Sequence, residues 1–235
     1  MDFVSGEVLL INKPLTWTSF DVVNKLRYAL TKKLGNRIKV GHAGTLDPLA
    51  TGLLIICTGK MTKKIDEFQG MDKEYTGTFL LGATTPTYDS EMEPDATFPT
   101  EHITKAMLQQ AVAKYTGAIE QMPPIYSAIK VDGKTAYAQA RKGKDIELKP
   151  RSIVVNEFAL TRIALPEVDF RVVCSKGTYI RSLAFDFGKA VDSGAYLKAL
   201  CRTKIGDFDL KNSLTVEECV AMITNAEIVE TGNKP

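Results

Sequence analysis

The fold of this chain depends most on one stretch, residues 41–53, which reads Gly-His-Ala-Gly-Thr-Leu-Asp-Pro-Leu-Ala-Thr-Gly-Leu. It places one carboxylate, Asp47, directly before Pro48 and among three glycines. Glycine permits a positive φ or a close backbone approach, and proline restricts its own φ and the residue before it. The apolar run Leu53–Cys57 that follows is typical of a buried strand. We therefore predict a stiff loop that presents an acid and the imidazole of His42 beside a core strand.

The same residues allow a plainer interpretation. An isolated Asp-Pro pair commonly starts a helix, with the acid as N-cap and the proline at the first helical position. On that alternative Asp47 begins a helix, and Gly41, Gly44 and Gly52 are ordinary turn residues. The residue pattern alone leaves both interpretations open.

Hydrophobic periodicity along the rest of the chain predicts a mixture of strands and helices. The predicted strands are 6–13, 53–58, 75–81, 152–162, 167–175 and 204–210. The predicted helices are 19–34, 60–68, 103–115, 179–191 and 215–224. Between them, 84–101 is predicted to be an acidic surface loop, and 225–235 to be frayed. Because the elements follow no strict βαβ rhythm, the pattern favours an α+β fold.

Composition restricts the class of protein. The 235 residues, 44% hydrophobic and 25% charged, are ordinary for a globular domain, and the length suits one large domain or a domain with an insertion. No apolar run is long enough to cross a membrane, and no signal-peptide pattern precedes the first strand. The four cysteines form no Cys-x-x-Cys pair, which argues against a zinc or disulfide framework. We expect a cytoplasmic protein with no metal site and no membrane partner.

The segment 123–151 carries basic residues with two tyrosines between them, Tyr126 and Tyr137. Cations bind phosphates and rings stack on bases, so this composition suits a nucleic-acid surface. A solvated charged loop has the same composition. The basic residues considered for RNA contact are Lys130, Arg141, Lys142 and Lys144.

Taken together, the motifs resemble the TruB family of tRNA pseudouridine synthases. Residues 41–53 are similar to the catalytic motif of that family, whose aspartate is essential. Further segments resemble other motifs of the family in the expected order, and the resemblance covers roughly residues 6 to 210. These segments are 6–14 with Thr18 and Ser19, 73–77, 124–130, 175–183 and 200–202.

The resemblance implies a fold and a domain organisation. The family carries a mixed, mostly antiparallel central sheet flanked by helices, with a cleft across it and an insertion that clamps RNA. That insertion corresponds here to about 123–151. We therefore expect a pseudouridine synthase catalytic domain at 1–214, followed at 215–235 by a C-terminal helix and frayed tail. Too few residues follow for the RNA-binding PUA domain common in bacterial members.

The resemblance also implies catalytic residues, namely Asp47, Tyr75 and Arg181. The carboxylate of Asp47 would act as nucleophile or as general base, and the sequence leaves both open. Tyr75 would stack on the target base and assist proton transfer. Arg181 would pair with the acid.

A second set of residues is implied to bind the substrate. His42 would fill the place of the extruded bases, which offsets part of the unstacking cost. Leu200 would lie beneath the base, and Lys13 would contact phosphate or support the catalytic loop. The full substrate-binding set is His42, Lys13, Leu200, Tyr179, Lys130, Arg141, Lys142 and Lys144.

The expected activity is isomerisation of the T-loop uridine at tRNA position 55 to pseudouridine, without a cofactor. The expected partner is the T-arm stem-loop of tRNA; we expect a monomer with no obligatory protein partner. Two alternatives stay open. A tRNA-folding chaperone would use the same cleft without turnover, or accompany the activity. A base-removing glycosylase would release free uracil, which a pseudouridine synthase does not.

Overall fold

The computed structural model describes residues 1–127, 129–131, 133–143 and 146–227. Within these ranges the α-helices are α1 Ser19–Leu34, α2 Ile65–Gly70, α3 Lys105–Lys114, α4 Ala136–Ala140, α5 Ile180–Ala190 and α6 Val216–Asn225. The strands are β1 Val8–Lys13, β2 Val40–His42, β3 Ala50–Thr58, β4 Lys73–Leu81, β5 Ala83–Thr84, β6 Ala96–Thr97, β7 Gly117–Gln121, β8 Lys130–Val131, β9 Lys134–Thr135, β10 Arg151–Ala164, β11 Glu167–Cys174, β12 Ala195–Ile205 and β13 Phe208–Asp209. Short 3₁₀ helices cover Gly59–Lys64 and Leu210–Asn212.

The strongly periodic segments fold as predicted. The predicted helices 19–34, 103–115, 179–191 and 215–224 correspond to α1, α3, α5 and α6. The segment predicted as one helix at 60–68 is a 3₁₀ turn followed by α2. Capping residues set the start of α1 and α6, since each begins with a reciprocal capping box, Thr18 with Asp21 and Thr215 with Glu218.

The strand predicted at 204–210 is wrong in its bounds. The chain is extended from Ala195, and β12 ends at Ile205 before the short β13. The sequence of β12, Ala-Tyr-Leu-Lys-Ala-Leu-Cys-Arg-Thr-Lys-Ile, does not alternate cleanly between apolar and polar residues. Its strand state comes from pairing with neighbours on both sides in the sheet, which periodicity does not report.

The chain forms two compact units, one from Met1–Lys73 with the residues from Cys201 onward, the other from Glu74–Leu200. We call them unit 1 and unit 2. The sequence analysis set the C-terminal helix apart from residues 1–214. In the structure α6 belongs to unit 1, where it supplies Val216, Cys219 and Ile223 to the core.

Unit 1 contains a sheet in which β3 is central. Strand β1 pairs with it antiparallel, from Val8 opposite Cys57 to Lys13 opposite Gly52, and β2 pairs antiparallel with its C-terminal end. Helices α1 and α6 pack against one face of this sheet. Their buried apolar side chains form the core together with those of β1 and β3: Val22, Val23, Leu26, Leu30, Leu9, Ile11, Leu54 and Ile56.

Unit 2 contains the strands β4, β11, β10 and β7 in that spatial order, with the first residues of β12 beside β4. Strand β10 pairs antiparallel with both β11 and β7. Four phenylalanine rings pack together between this sheet and α5, with centroid separations of 4.1 to 6.5 Å. They are Phe79, Phe158, Phe170 and Phe187. Such a cluster supplies much of the unit's buried apolar area.

The predicted acidic surface loop at 84–101 is only partly a surface loop. Thr85, Thr87 and Asp89 are buried, with 1%, 1% and 5% of their surface exposed. The main chain of Asp89 forms a parallel bridge with Leu197. Acids and prolines dominate this segment, so its composition predicted solvent-exposed residues. Whether an acid is buried depends on a partner that lies far away in sequence.

Candidate active site

The loop that carries Asp47 lies between β2 and β3. Strand β2 ends with His42 opposite Ile56, and the amide of Ala43 donates to the carbonyl of Ile55 at 2.9 Å. The amide of Ala50 donates to the carbonyl of Asp47 at 3.0 Å, which closes a turn that leads directly into β3. No helix begins at Asp47, so the helix-start alternative is wrong for this residue.

Two of the three glycines adopt the conformation that only glycine tolerates well. Gly44 has φ +99° and Gly52 has φ +107°, a region strained for other residues. A Cβ atom on Gly52 would also lie 2.4 Å from the carbonyl oxygen of Arg202. The close approach of these two backbones therefore requires glycine at position 52.

A serine of α1 fixes the middle of the loop. The hydroxyl of Ser19 donates to the carbonyl of Leu46 at 3.1 Å and accepts from the amide of Leu46 at 2.8 Å. Both polar groups of the residue before Asp47 are thus satisfied by one buried side chain. The loop position of Asp47 is therefore coupled to the position of the helix.

Lys13 lies beneath the loop and is fully buried. Its ammonium donates to the carbonyls of Trp17 at 2.6 Å, Pro14 at 3.0 Å and Pro48 at 3.5 Å. Burial lowers the pKa of Lys13 from 10.5 to about 8, while the negative charge of Asp47 acts in the opposite direction. Lys13 is enclosed and bonds to the Asp47 loop at Pro48, which favours loop support among the two roles predicted for it.

Arg202 is another buried cation of unit 1, with 1% of its surface exposed. Its guanidinium donates to the carbonyls of Leu53 at 2.8 Å, Gly44 at 3.1 Å and Thr45 at 3.4 Å. It thereby connects the two ends of the loop. The sequence analysis included Arg202 in a motif but gave it no role, since its partners are main-chain atoms about 150 residues away in sequence.

His42 is half-buried at the end of β2. Burial and the positive charge of Arg202 lower the pKa of His42 below its ordinary value of 6.5, so the imidazole is neutral at neutral pH. Its Nδ1 atom is buried without a hydrogen-bond partner among the described residues. A neutral ring with little hydration suits stacking against bases, which is the role predicted for it.

In unit 2 the start of α5 presents Tyr179 and Arg181. Tyr179 is the N-cap residue, and its amide and carbonyl both bond to the side-chain amide of Gln121, at 2.8 and 3.0 Å. Arg181 is 6% exposed. Its guanidinium donates to the carbonyls of Thr87 at 3.1 Å and Tyr126 at 3.0 Å.

Arg181 also forms an ion pair with Asp89, whose Oδ2 lies 3.6 Å from its Nε atom. Both side chains are almost fully buried, so the carboxylate helps to fix the plane of the guanidinium. Asp89 was not predicted as a site residue, because it lies in the segment 84–101 that was predicted to be an acidic surface loop. Burial of Arg181 appears only in the structure, and a buried guanidinium usually has an acid as its partner.

Tyr75 and Leu200 also belong to unit 2. Tyr75 lies on β4 with 9% of its surface exposed. Leu200 is half-buried on β12. A nearly buried phenol contributes a rigid aromatic surface and one hydroxyl proton.

The described part of segment 123–151 forms the β8–β9 hairpin followed by α4. Arg141 is exposed, 3.5 Å from Glu91 and stacked over the ring of Tyr137 at 5.0 Å. Lys142 is exposed beside it, and Lys130 begins β8. Lys144 lies outside the described residues. The hairpin and helix give this segment more structure than a solvated loop would have.

Comparison with known proteins identifies the family. A family model described as "TruB family pseudouridylate synthase (N terminal domain)" matches residues 31–180. The chain belongs to this family. The matched range includes the loop of Asp47 and extends to the start of α5.

Curated TruB relatives match over nearly the whole chain. A protein of Flavobacterium johnsoniae named "tRNA pseudouridine synthase B" is 61% identical over 92% of this chain and 95% of its own. A protein of Phocaeicola vulgatus with the same name is 57% identical over all of both chains.

A solved structure supports the TruB fold. The structure titled "Crystal Structure of a Cbf5-Nop10-Gar1 Complex" matches with a TM-score of 0.71 and 27% identity, over 94% of this chain. The chain spans 55% of that structure's chain. The predicted α+β fold with a mostly antiparallel sheet is confirmed.

The residues predicted for the TruB site fall into two sets. Unit 1 brings together Asp47, His42 and Lys13 on one loop and the strands beside it. Unit 2 contains Tyr75, Tyr179, Arg181 and Leu200, with Asp89 added by the structure. Their individual roles in catalysis and binding stay predictions.

Proposed function

We propose that this TruB-family isomerase converts the T-loop uridine at tRNA position 55 into pseudouridine. The observation that carries the proposal is the loop of Asp47, whose backbone is fixed by Ser19, Lys13 and Arg202. A carboxylate on a preorganised loop meets the main requirement of this chemistry. The names of the curated relatives support tRNA as the substrate.

The reaction needs few groups. The N1–C1′ bond of uridine breaks, the detached base turns over, and a C5–C1′ bond forms. The proton lost from C5 is balanced by one gained at N1, so no oxidant, reductant or nucleotide is consumed. The protein must supply one carboxylate, a dry aromatic surface for the free base, and a route for the proton.

In this proposal the residues of unit 1 act on the sugar and the flipped strand. Asp47 supplies the carboxylate that acts at the ribose or base. His42 is neutral and carries an unpaired buried Nδ1 atom, so it can stack in place of the extruded bases at little desolvation cost. Lys13 and Arg202 act through the loop and contribute positive charge near the acid.

The residues of unit 2 act on the base. Tyr75 provides a nearly buried aromatic surface with a hydroxyl, which suits stacking and proton transfer. Arg181 provides a guanidinium for the acid, and Asp89 sets its orientation. Leu200 supplies an apolar contact beneath the base, and Tyr179 precedes Arg181 by two residues, at the N-cap of α5.

The deciding experiment is incubation with unmodified tRNA, followed by mapping of pseudouridine at each uridine and assay of released uracil. Pseudouridine at position 55 with no free uracil is expected. Free uracil without pseudouridine would indicate the glycosylase alternative. Faster tRNA folding without either product would indicate the chaperone alternative.

Three further expectations belong to this proposal. A tRNA-folding role would accompany catalysis if a variant without turnover still accelerates tRNA folding. A monomer without a protein partner is expected to suffice for turnover, which sedimentation of the active species would test. A cytoplasmic location follows from the proposed substrate. Among the described helices, none combines the length and apolar composition needed to cross a bilayer.

A further inference from the structure

A groove in unit 1 is lined by three cations, Arg27, Arg37 and Lys39, and by Thr62. Its volume is about 580 Å³. The cations come from α1 and from the chain just before β2, and Thr62 comes from the 3₁₀ helix Gly59–Lys64. The same 3₁₀ helix carries three exposed lysines that are neighbours of Thr62 in sequence, namely Lys60, Lys63 and Lys64.

Positive charge is concentrated in the segment that builds this groove. Residues 19–67 contain nine basic and four acidic residues, a net charge of +5, whereas the whole chain with 30 basic and 28 acidic residues has +2. The rest of the chain is therefore net negative. Charge gathered in this way repels itself, which costs stability unless an external anion binds there.

Three cations of unit 2 have carboxylate partners that the groove cations lack. Arg162, Arg171 and Lys198 each form ion pairs with carboxylates on neighbouring strands. Within the part of the chain that the structure describes, no carboxylate lies within 4.0 Å of any groove cation or of the three neighbouring lysines. Arg27 bonds only to neutral oxygens, those of Asn24 and Val40.

The groove lies close in sequence to the loop of Asp47. Val40 and Gly41 line it, and Asp47 follows six residues after Gly41. Six residues span at most about 20 Å. An anion in the groove therefore lies near the nucleotide on which Asp47 would act. Several consecutive phosphates of one RNA strand can span the distance between the groove and Asp47.

We propose that this groove binds the phosphate backbone of the stem-loop that carries the target uridine. The proposal rests on the proposed function for its substrate and adds a binding surface outside the catalytic loop and the segment 123–151. Arginine and lysine side chains neutralise phosphates and release counterions. The contacts carry no base specificity, so they position the RNA and raise its affinity.

The test removes two exposed groove cations in the double variant Arg37→Gln/Lys39→Gln. Its matched control, Lys105→Gln/Lys114→Gln, removes two exposed lysines of α3 in unit 2. Dissociation constants are measured for unmodified tRNA and for the isolated T-arm stem-loop over a range of salt concentrations. Circular dichroism and thermal unfolding verify that both variants fold.

For the groove variant we expect about tenfold weaker binding near physiological salt, and a salt slope shallower by about 1.5. Both RNAs should be affected by the same factor, because the contacts lie on the stem-loop. The control should keep the wild-type affinity and slope. The loss should also appear as a lower kcat/KM at subsaturating RNA.

Several outcomes would overturn the proposal. These are an unchanged salt slope, an equal loss in the control, or a loss confined to whole tRNA. Unchanged RNA affinity with lost binding to vesicles of anionic lipid would assign the groove to a membrane surface instead. Failure of the proposed function is distinct, since it would show as absence of pseudouridine with the wild-type protein.

Discussion

The two units stabilise their buried cations in different ways. In unit 1, Lys13 and Arg202 donate to main-chain carbonyls. In unit 2, Arg181 donates to two carbonyls and also forms an ion pair with the buried carboxylate of Asp89. Carbonyl oxygens accept hydrogen bonds from a buried cation but do not neutralise its positive charge. A carboxylate accepts hydrogen bonds and also neutralises the charge.

This difference indicates two kinds of positioning. In unit 1 the cations bind the backbone of the Asp47 loop itself, so the loop geometry depends on them, and their charge stays near the acid. In unit 2 the carboxylate of Asp89 orients the guanidinium of Arg181, so the ion pair positions the arginine side chain. The first arrangement fixes where an acid lies, and the second fixes where a cation lies.

The largest effect is expected when Asp47, the acid on the loop bound by the unit 1 cations, is replaced. Asp47→Asn keeps the shape of the side chain but cannot act as base or nucleophile. We expect a loss beyond about 10⁴-fold in single-turnover rate, roughly 5.5 kcal/mol of transition-state stabilisation, with tRNA binding retained. A rate above a tenth of wild type would remove Asp47 from the central role.

The ion pair of unit 2 should show strong coupling. Arg181→Met leaves the buried carboxylate of Asp89 without its cation, which should lower the free energy of unfolding by about 4 kcal/mol. Adding Asp89→Asn should recover about 2 kcal/mol of that loss, because the uncompensated charge is removed. Denaturant unfolding of the single and double variants measures this. Additive losses would mean that Asp89 does not compensate Arg181.

The carbonyl-bound cation of unit 1 should respond differently. Arg202→Met leaves three loop carbonyls without a donor, which should cost about 3 kcal/mol of unfolding free energy. Displacement of the loop should lower kcat about 10²-fold and change KM less. Arg202→Lys restores the charge and part of the bonding, so it should recover part of the rate. Equal rates for the two variants would argue against a positioning role.

The prediction with the smallest effect at neutral pH concerns the titration of Lys13. Its pKa is lowered from 10.5 to about 8 by burial, so between these pH values the unfolded chain binds the proton and the folded chain does not. Wild-type stability relative to Lys13→Met should therefore rise with pH through this window, with a maximum slope of about 1.4 kcal/mol per pH unit. Unfolding of both proteins from pH 7 to 10.5 measures the difference.

Comparison with Lys13→Met also removes the contribution of the buried thiols. Burial raises the pKa values of Cys57 and Cys219 to about 11 and 12, so they lower stability as pH rises above 9, equally in both proteins. A flat difference between wild type and Lys13→Met would show that Lys13 keeps its proton in the folded state. Its charge would then be as permanent as that of Arg202.

The sequence by itself determined the elements with clear periodicity or punctuation. Helix α1 follows from its apolar face, and its bounds in the structure are those predicted. Glycine and proline near Asp47 indicated a stiff loop, although the pattern also allowed a helix start. The motifs around Asp47, Tyr75 and Arg181 were enough to indicate the family. These features are local, since each depends on dihedral preferences or spacings within a few residues.

Only the tertiary structure decided which charged residues are buried and what they contact. From the sequence, Asp89 was counted as a surface acid, Lys13 was left between phosphate contact and loop support, and Arg202 had no role. Each contacts at least one group distant in sequence: Asp89 lies against Arg181, Lys13 bonds to Pro48, and Arg202 bonds to Gly44. The free energy of burying a charge depends on those partners, and a sequence pattern does not contain them.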